Sequence, residues 1–251
     1  MKKILILLCP VLLVFGLAGA ASASSITLAN PSFEEPGPLP VFPNLDHWNE
    51  IVPGWLATNN GGATGELNMG YPGQTGSNAA YITADTNPAS PFDILDLPRI
   101  GQWLDGTQPG TDLVTLVAGT TYALDVDVAG RTDYTAGATY QLWLVAQSPD
   151  KASYVSLALS DPVAPTTEGS FNAAAQLAYT VSSADYVGWT LGFNFVVGNT
   201  NPGATSELIT QVLFDNVRLD ASSAVPEPAT MFLLGSGLIG VGVFVRRKFR
   251  K

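Results

Sequence analysis

Apolar and polar positions alternate in short runs through residues 25–224, and no stretch of this region has the spacing of an amphipathic helix. The clearest run covers residues 121–128, where Leu124 and Val126 fall on one face of an extended chain and Asp125 and Asp127 fall on the other. A period of two is typical of a strand with one buried face. The pattern therefore predicts a half-buried β-strand.

Further short runs of β-branched and aromatic residues are separated by Gly, Pro, Asn and Asp, and they predict strands at 79–83, 112–118, 138–146, 154–159, 176–181, 188–197 and 211–219. Gly119 predicts a turn that joins the strands on either side of it as a hairpin. Residues 34–78 are rich in Pro, Gly and Asn, which predicts long loops across one end of the fold. About ten short strands favour an all-β antiparallel sandwich of the jelly-roll type.

The N-terminal end of the chain differs from this region and predicts a targeting segment. Lys2 and Lys3 precede an apolar stretch, and the small residues 21–23 then offer a cleavage site, so residues 1–23 are predicted to be a secretory signal peptide. An uncleaved membrane anchor is the alternative, which the shortness of the apolar stretch disfavours. The body is then predicted to span 24–221.

The C-terminal end predicts a membrane span. A linker with two prolines covers residues 222–228, and the uncharged residues 229–245 would extend about 25 Å as a helix, close to the ~30 Å hydrocarbon core of a bilayer. Residues 246–251 are basic except Phe249, which predicts that this tail stays on the cytoplasmic side. We therefore expect one transmembrane helix, with the acidic body outside the cytoplasm.

The triplet Pro226, Glu227 and Pro228, the Gly-rich apolar segment behind it and the basic cluster that begins with Arg246 and Arg247 resemble the PEP-CTERM sorting signal. That signal is found on exported proteins of Gram-negative bacteria that make exopolysaccharide. The resemblance implies that exosortase, a membrane-embedded cysteine protease, recognises the triplet after signal peptidase has acted. It also implies an intermediate anchored in the inner membrane, then an envelope or extracellular protein. A plain membrane anchor is the alternative.

Five short motifs follow one another along the body: Asn-Pro-Ser-Phe-Glu at 30–34, Gly-Trp at 54–55, then 100–104, 119–124 and 214–219. This order is similar to that of galactose-binding-like jelly rolls, including the carbohydrate-binding modules of that fold. The resemblance covers nearly the whole body and implies a jelly-roll sandwich. Many unrelated functions share this scaffold, so sugar binding does not follow from the fold alone.

The same resemblance implies a structural Ca²⁺. In such jelly rolls the acid after the N-terminal Phe and the Asp of the last strand help to bind the ion, and here these residues are Glu34 and Asp215. Adjacent first and last strands would bring the two carboxylates together, and loop carbonyls can complete the roughly 6–8 oxygen ligands that Ca²⁺ takes. The alternative is that both acids cap turns or pair with a base such as Arg218.

The charge and the scarcity of reactive side chains exclude several classes of function. Residues 25–224 hold four basic residues against 20 acidic ones, a net charge of −16, which excludes sequence-independent nucleic-acid binding. The single cysteine, Cys9, lies in the signal segment, and His47 is the single histidine, so disulfides and zinc sites with several Cys or His ligands are excluded. No catalytic residue is assigned, and we expect a non-enzymatic protein. A carboxylate pair for glycoside hydrolysis stays open.

Sugar recognition needs an exposed aromatic ring beside hydrogen-bonding groups, and the candidates in predicted loops are Trp48, Tyr71 and Tyr134. Packing of the loops is the alternative role of these rings, and core packing is expected for the tryptophans of apolar strands: Trp103, Trp143 and Trp189. We therefore expect an exported, non-enzymatic matrix or envelope protein associated with exopolysaccharide. A dedicated carbohydrate-binding module and a polysaccharide hydrolase are the alternatives.

Overall fold

The computed structural model describes residues 23–35, 55–58, 62–84, 97–132, 134, 136–171, 173–182, 186–199 and 210–223. The predicted signal peptide, His47, Trp48, the Pro-Glu-Pro triplet and the predicted transmembrane helix with its basic tail lie outside these ranges. No helix in the ranges is long and apolar enough to cross a membrane. Residues Ser24–Ala221 form one compact unit.

The described residues form eleven strands: β1 Ala23–Ser25, β2 Leu56–Thr58, β3 Gly62–Leu67, β4 Ala79–Ala84, β5 Arg99–Trp103, β6 Thr120–Gly130, β7 Ala138–Gln147, β8 Tyr154–Leu159, β9 Ala173–Thr180, β10 Thr190–Asn199 and β11 Thr210–Ser223.

These strands form two sheets. One sheet has the order β3-β4-β11-β6-β9, with β1 also paired to β11, and the other has the order β2-β5-β10-β7-β8. The registers between β4 and β11, between β6 and β9 and between β10 and β7 are antiparallel. The prediction of an all-β antiparallel sandwich is confirmed, and so is the adjacency of the first and last strands.

The core lies between the sheets and is made by every second residue of their strands. In β6, Leu124 and Val126 are fully buried, whereas Asp125 and Asp127 lie on the opposite face, as their alternation predicted. Phe195 of β10 and Phe214 of β11 stack with ring centroids 4.9 Å apart, which joins the two sheets directly. Burial of these apolar side chains from both sheets supplies the main favourable free energy of folding.

Two local predictions are wrong. Residues 112–118 do not form a hairpin with β6: Leu116 N–H donates to Trp189 O (2.8 Å), and Gly119 N–H donates to Val181 O (2.8 Å). Gly119 does form a turn in the left-handed region, but a turn signal does not specify which strand its flanks pair with. The expected loop region 34–78 also contains β2 and β3, whose small residues lack a hydrophobic alternation that would mark them as strands.

A β-bulge in β11 places two polar side chains together on the outer face of its sheet. Phe214 and Val217 both face the core, although two residues rather than one separate them. Asn216 has φ +49°, in the left-handed region, and its N–H donates to Asp215 Oδ1 (2.6 Å). This extra residue shifts the alternation of the strand, as a bulge does. Asp215 and Asn216 therefore both point away from the core.

We predict that Asn216→Ala is less stable than Asn216→Gly by about 1 kcal/mol, because only glycine adopts the left-handed region without cost. Both variants lose the amide bond to Asp127, so they differ mainly in backbone strain. Urea unfolding of the two proteins measures the difference. In an ordinary strand position glycine would be the less stable variant, so that order would contradict the bulge.

Candidate functional site

Backbone N–H groups of one loop bind the two acids that the sequence predicted as calcium ligands. Glu34 Oε1 accepts hydrogen bonds from the N–H groups of Ser77 (2.8 Å) and Asn78 (2.7 Å). Asp215 Oδ2 accepts one from Thr75 N–H (2.5 Å). Because both carboxylates bind the same five-residue loop, 74–78, the structure brings them together as predicted. We call Glu34, Asp215 and this loop the acidic corner.

Local backbone geometry directs Glu34 into the acidic corner. Phe33 has φ +58°, which is unusual for a bulky residue, and its ring is fully buried against Trp55 with centroids 4.9 Å apart. The amide of Asn78 donates to Phe33 O (3.0 Å). At Gly76, which has φ +76°, an added Cβ would lie 2.5 Å from Glu34 Cδ. Packing of Phe33 and the missing side chain at Gly76 therefore leave room for the carboxylate.

The acidic corner is electrostatically strained. The pKa of Asp215 is raised from its ordinary value of 3.8 to about 7, chiefly by burial and also by the charges of Asp127 and Glu34, although the Thr75 and Asn216 N–H groups oppose the shift. Arg218 donates to Asp127 (3.0 Å) and to Asn216 O, so the alternative in which it pairs with Glu34 or Asp215 is not observed. A buried carboxylate beside like charges is stabilised by protonation or by a cation.

The groups at the acidic corner fit a hard cation. Carboxylate and neutral amide oxygens are the ligands that Ca²⁺ prefers. Gln74, next to Thr75 in the loop, has a buried side-chain amide whose oxygen and nitrogen have no hydrogen-bond partner among the described residues. Those residues contain no group of three or more His, Cys, Asp or Glu that could hold a metal. A site here would therefore rely on two carboxylates and on neutral oxygens.

The aromatic candidates in loops have separate surroundings. Tyr71 is half-buried, and its hydroxyl bonds Thr132 through N–H (3.1 Å) and Oγ1 (2.8 Å), which supports the packing alternative. Tyr134 is 36% exposed, and the Arg131 guanidinium lies 4.5 Å from its ring centroid. Arg131 is itself buried and donates to Gln211 Oε1 (2.6 Å). Tyr71 thus contacts Thr132, whereas the Tyr134 ring lies against the buried Arg131.

The outer face of the five-stranded sheet carries two tryptophans that core packing alone does not describe. Trp143 is buried, as expected, but in a cluster separate from the inter-sheet core, and half-buried Trp103 packs against this cluster. Gly192 lies opposite Trp103 in the register, and an added Cβ there would collide with the indole ring. The Trp103 ring therefore occupies the space above Gly192 that a side chain would fill.

An amide lies beside this ring on the same face. Asn194 lies opposite both Trp143 and Gly101, and its side-chain oxygen approaches Gly101 where a Cβ would otherwise stand. We call Trp103, Gly192, Gly101 and Asn194 the outer strip. The sequence indicated that Trp103 faces outward, because it lies an odd number of residues from Ile100, the core residue of β5, and side chains alternate between the two faces of a strand. That signal was missed because one tryptophan in an apolar strand is more often buried in the core.

Two family models match the chain. One, described as HpiC1 cyclase, matches residues 24–220. The other, described as the PEP-CTERM protein-sorting motif, matches residues 224–248 and confirms the prediction made from the C-terminal residues. The sorting motif indicates export to the cell envelope through exosortase. A comparison with curated protein sequences found no match.

Several solved structures align with the chain. An apo cyclase from Fischerella sp. aligns with TM-score 0.57 and 21% identity over 82% of this chain and 100% of its own. The Stig cyclase Fisc from Fischerella sp. TAU, in complex with an indole derivative, aligns with TM-score 0.55 and 22% identity over 81% and 100%. The CBM22-1 xylan-binding domain from Paenibacillus barcinonensis Xyn10C aligns with TM-score 0.45 and 12% identity over 83% and 99%. At these identities the likeness to the two cyclases concerns the fold alone.

Proposed function

The chain belongs to the HpiC1-like family, and we propose that, unlike the cyclase for which the family is named, it is a non-enzymatic protein of the bacterial envelope or extracellular matrix. Its C-terminal motif delivers it through exosortase. Its sandwich then associates with neutral exopolysaccharide through the outer strip, and Ca²⁺ at the acidic corner organises the fold. An anionic polysaccharide would be repelled by a body of charge −16 unless divalent ions bridge the two.

The observation that carries the glycan proposal is the half-buried ring of Trp103 over Gly192, beside the amide of Asn194. The apolar face of a sugar ring stacks on such a ring, while an amide donates to and accepts from sugar hydroxyls. The ring is held in place by the backbone beneath it, so little side-chain entropy is lost on binding. Tyr134, supported by Arg131, is the second candidate position for stacking.

A cyclase activity is the second candidate function. The family is named for a cyclase, and a carboxyl with a pKa of about 7, as for Asp215, can donate a proton near neutral pH. Asp215 is, however, fully buried, and its oxygens accept hydrogen bonds from Thr75 and Asn216. A substrate reaches this carboxyl only if loop 74–78 moves away. We therefore favour the non-enzymatic role.

In the proposed calcium site, Glu34 and Asp215 supply the negative charge, and the amide oxygen of Gln74 and loop carbonyls supply neutral ligands. Bound Ca²⁺ would replace the proton on Asp215 and remove the repulsion between the buried carboxylates. The ion would thereby join the start of the sandwich, loop 74–78 and the last strand.

We predict that Ca²⁺ stabilises the protein and that Asp215 makes stability depend on pH in its absence. At a Ca²⁺ concentration about 100 times Kd the gain is about 2.7 kcal/mol, or a rise in Tm of roughly 5–10 °C. In chelator, the folded state holds the Asp215 proton up to a pKa of about 7, whereas the unfolded chain releases it near 3.8. The contribution of this group is therefore lost as pH rises from about 4 to 7.

Thermal unfolding across this pH window, with Ca²⁺ and with chelator, measures both effects. Asp215→Asn should remove the extra loss of stability in chelator, and both Asp215→Asn and Glu34→Gln should abolish the response to Ca²⁺. Asp161→Asn, an exposed acid elsewhere on the body, is the matched control and should respond like the unmodified protein. An equal Ca²⁺ response in all four proteins would refute the site.

We predict that Trp103→Ala weakens binding of the host exopolysaccharide at least about tenfold, a loss of ~1.4 kcal/mol, because the stacking surface is removed. Titration of the purified protein with that polysaccharide and with a neutral glucan measures the affinity. Tyr186→Ala removes an aromatic ring that is 37% exposed on another part of the surface and should bind normally.

The same titration separates the alternatives. A loss with Tyr134→Ala, but not with Trp103→Ala, would move the glycan site to the segment 131–134. Release of soluble sugars during the titration would indicate a hydrolase. Absence of saturable binding to either polymer, with Ca²⁺ present, would contradict the proposed association with glycan.

We predict that Pro226→Ala combined with Glu227→Gln blocks processing of the tail and release from the membrane, while the body stays folded, because the recognition triplet lies outside Ser24–Ala221. Immunoblots of membrane and extracellular fractions measure the outcome. Ala229→Ser, just after the triplet, is the control. Normal processing of the double variant would contradict the assigned role of the triplet.

A further inference from the structure

Two turns lie side by side at one end of the sandwich. The first, 117–120, leads into β6, and the second, 186–189, leads into β10. Leu116 N–H donates to Trp189 O (2.8 Å) and Leu116 O accepts from Gly188 N–H (2.9 Å), so backbone hydrogen bonds join the two segments. We call these two turns the apolar tips.

The apolar tips expose hydrophobic side chains at positions where turns usually carry polar residues. Val117 is 55% exposed, Val187 is 52% exposed and Tyr186 is 37% exposed. Gly, Pro, Asn, Asp and Ser dominate ordinary turns, whereas these two turns read Val-Ala-Gly-Thr and Tyr-Val-Gly-Trp and contain no charge. Apolar surface that is exposed on adjacent turns indicates an interaction site.

Two aromatic rings support the second turn. The rings of Tyr186 and Trp189 pack edge to face with centroids 5.0 Å apart, and half-buried Trp189 also packs against the core. Tyr and Trp combine an apolar ring with one polar group, and they are enriched where proteins meet the headgroups of a bilayer. Tyrosine and valine at adjacent tips therefore suit the boundary between lipid headgroups and acyl chains.

The last strand leaves the body at this same end. β11 is paired with β6. Arg131 N–H donates to Gln211 O (3.3 Å), whereas the amide of Asn216, further along β11, donates to Asp127, which is earlier in β6. The two strands therefore run in opposite directions. The last residues of β11 lie beside the first residues of β6, which directly follow the turn 117–120.

The length of chain after β11 limits how far this end of the body can lie from a membrane that holds the tail. β11 ends at Ser223, and the predicted transmembrane helix begins at Ala229. Six residues extend at most about 20 Å. While the tail is in the membrane, the apolar tips therefore lie within reach of the bilayer surface.

We propose that the apolar tips insert into the headgroup region of the bilayer that holds the C-terminal tail, so that lipid is the partner of this end of the body. Insertion of apolar side chains at such a boundary is typically ~5–10 Å deep. Two short turns bury little apolar area, so this contact is weak without the tail, and processing of the tail releases the body. The proposal rests on the export and the membrane tail of the proposed function, and it is independent of the glycan and calcium sites.

The charge of the body determines which lipids fit. A body of charge −16 is repelled by an anionic surface. The loop between β7 and β8 lies at the same end, because Gln147 is opposite Thr190 in the register. In that loop Asp150 is exposed, and Lys151 pairs with Asp105 (2.8 Å) and adds no net charge with it. We therefore expect insertion into zwitterionic lipid, weakened by anionic lipid.

The test uses the full chain with Cys9→Ser, reconstituted in phosphatidylcholine vesicles and labelled with an environment-sensitive fluorophore at Val187→Cys. We expect blue-shifted emission and at least about a twofold loss of intensity when lipids carry a quencher at headgroup depth. The matched control is Val163→Cys, which is 41% exposed and bridged to Tyr140 near the opposite end of β7. Its label should stay in water and should not be quenched.

A charge on the neighbouring turn tests whether the two turns act together. Val117→Asp should reduce the quenching of the label at 187 at least about twofold, because a carboxylate resists transfer out of water. Leu159→Asp places the same charge at a residue of β8 that is 44% exposed, and it should leave the quenching unchanged. Circular dichroism and thermal unfolding check that each variant is folded.

Flotation of the vesicles reports separately whether the tail has inserted. A chain that does not float with phosphatidylcholine vesicles would contradict the membrane tail and this proposal together. A folded chain that floats, but whose labels at 187 and 163 respond equally to the quencher, would overturn this proposal alone. Undiminished quenching in Val117→Asp would also overturn it, because the two turns would then not form one lipid-binding surface.

Discussion

Glu34 and Asp215 lie against one loop, in a corner where the beginning and the end of the sandwich meet, and the rest of the structure depends on how their charges are accommodated. Ile26 N–H donates to Leu219 O (2.8 Å) and Val217 N–H donates to Pro31 O (2.9 Å), so the two ends of the body are hydrogen-bonded to each other. The carboxylates accept the N–H groups of loop 74–78 and thereby attach that loop to both ends. The acidic corner thus joins the start of the body, loop 74–78 and the last strand, three segments that are far apart in sequence.

The two carboxylates reach the acidic corner only because nearby residues adopt unfavourable backbone conformations, which packing of the core stabilises. Phe33 and Asn216 both lie in the left-handed region, which costs free energy for residues other than glycine. Burial of the Phe33 ring against Trp55 and of Phe214 against Phe195 offsets this cost. The backbone conformations of the acidic corner therefore depend on the packing of the aromatic core. The same arrangement leaves Asp215 with a raised pKa, which is the physical basis for its proposed exchange of a proton for Ca²⁺.

Charged and aromatic side chains are segregated on the surfaces of the body. Acidic side chains occupy the outer face of the sheet that contains β6 and β11, whereas the outer strip on the other sheet combines an aromatic ring, glycines and an amide. The last strands of the two sheets, β8 and β9, contain no charged residue. The proposed ion site and the proposed glycan site therefore lie on different parts of the body.

The sequence by itself determined the elements whose signals are local. The alternation at Leu124, Asp125 and Val126 marked β6 and its buried face, and the residues around Glu227 marked the sorting motif, because both depend only on neighbours in the chain. The likeness of the terminal motifs to jelly rolls paired Glu34 with Asp215. Only the tertiary structure decided the bulge at Asn216 and the hydrogen-bond partners of residues 112–118. It also decided that Trp103 lies on the outer face of its sheet and that β9 lies at a sheet edge. Each of these depends on which distant strand supplies the hydrogen bonds, and a period of two specifies two faces without specifying the neighbour.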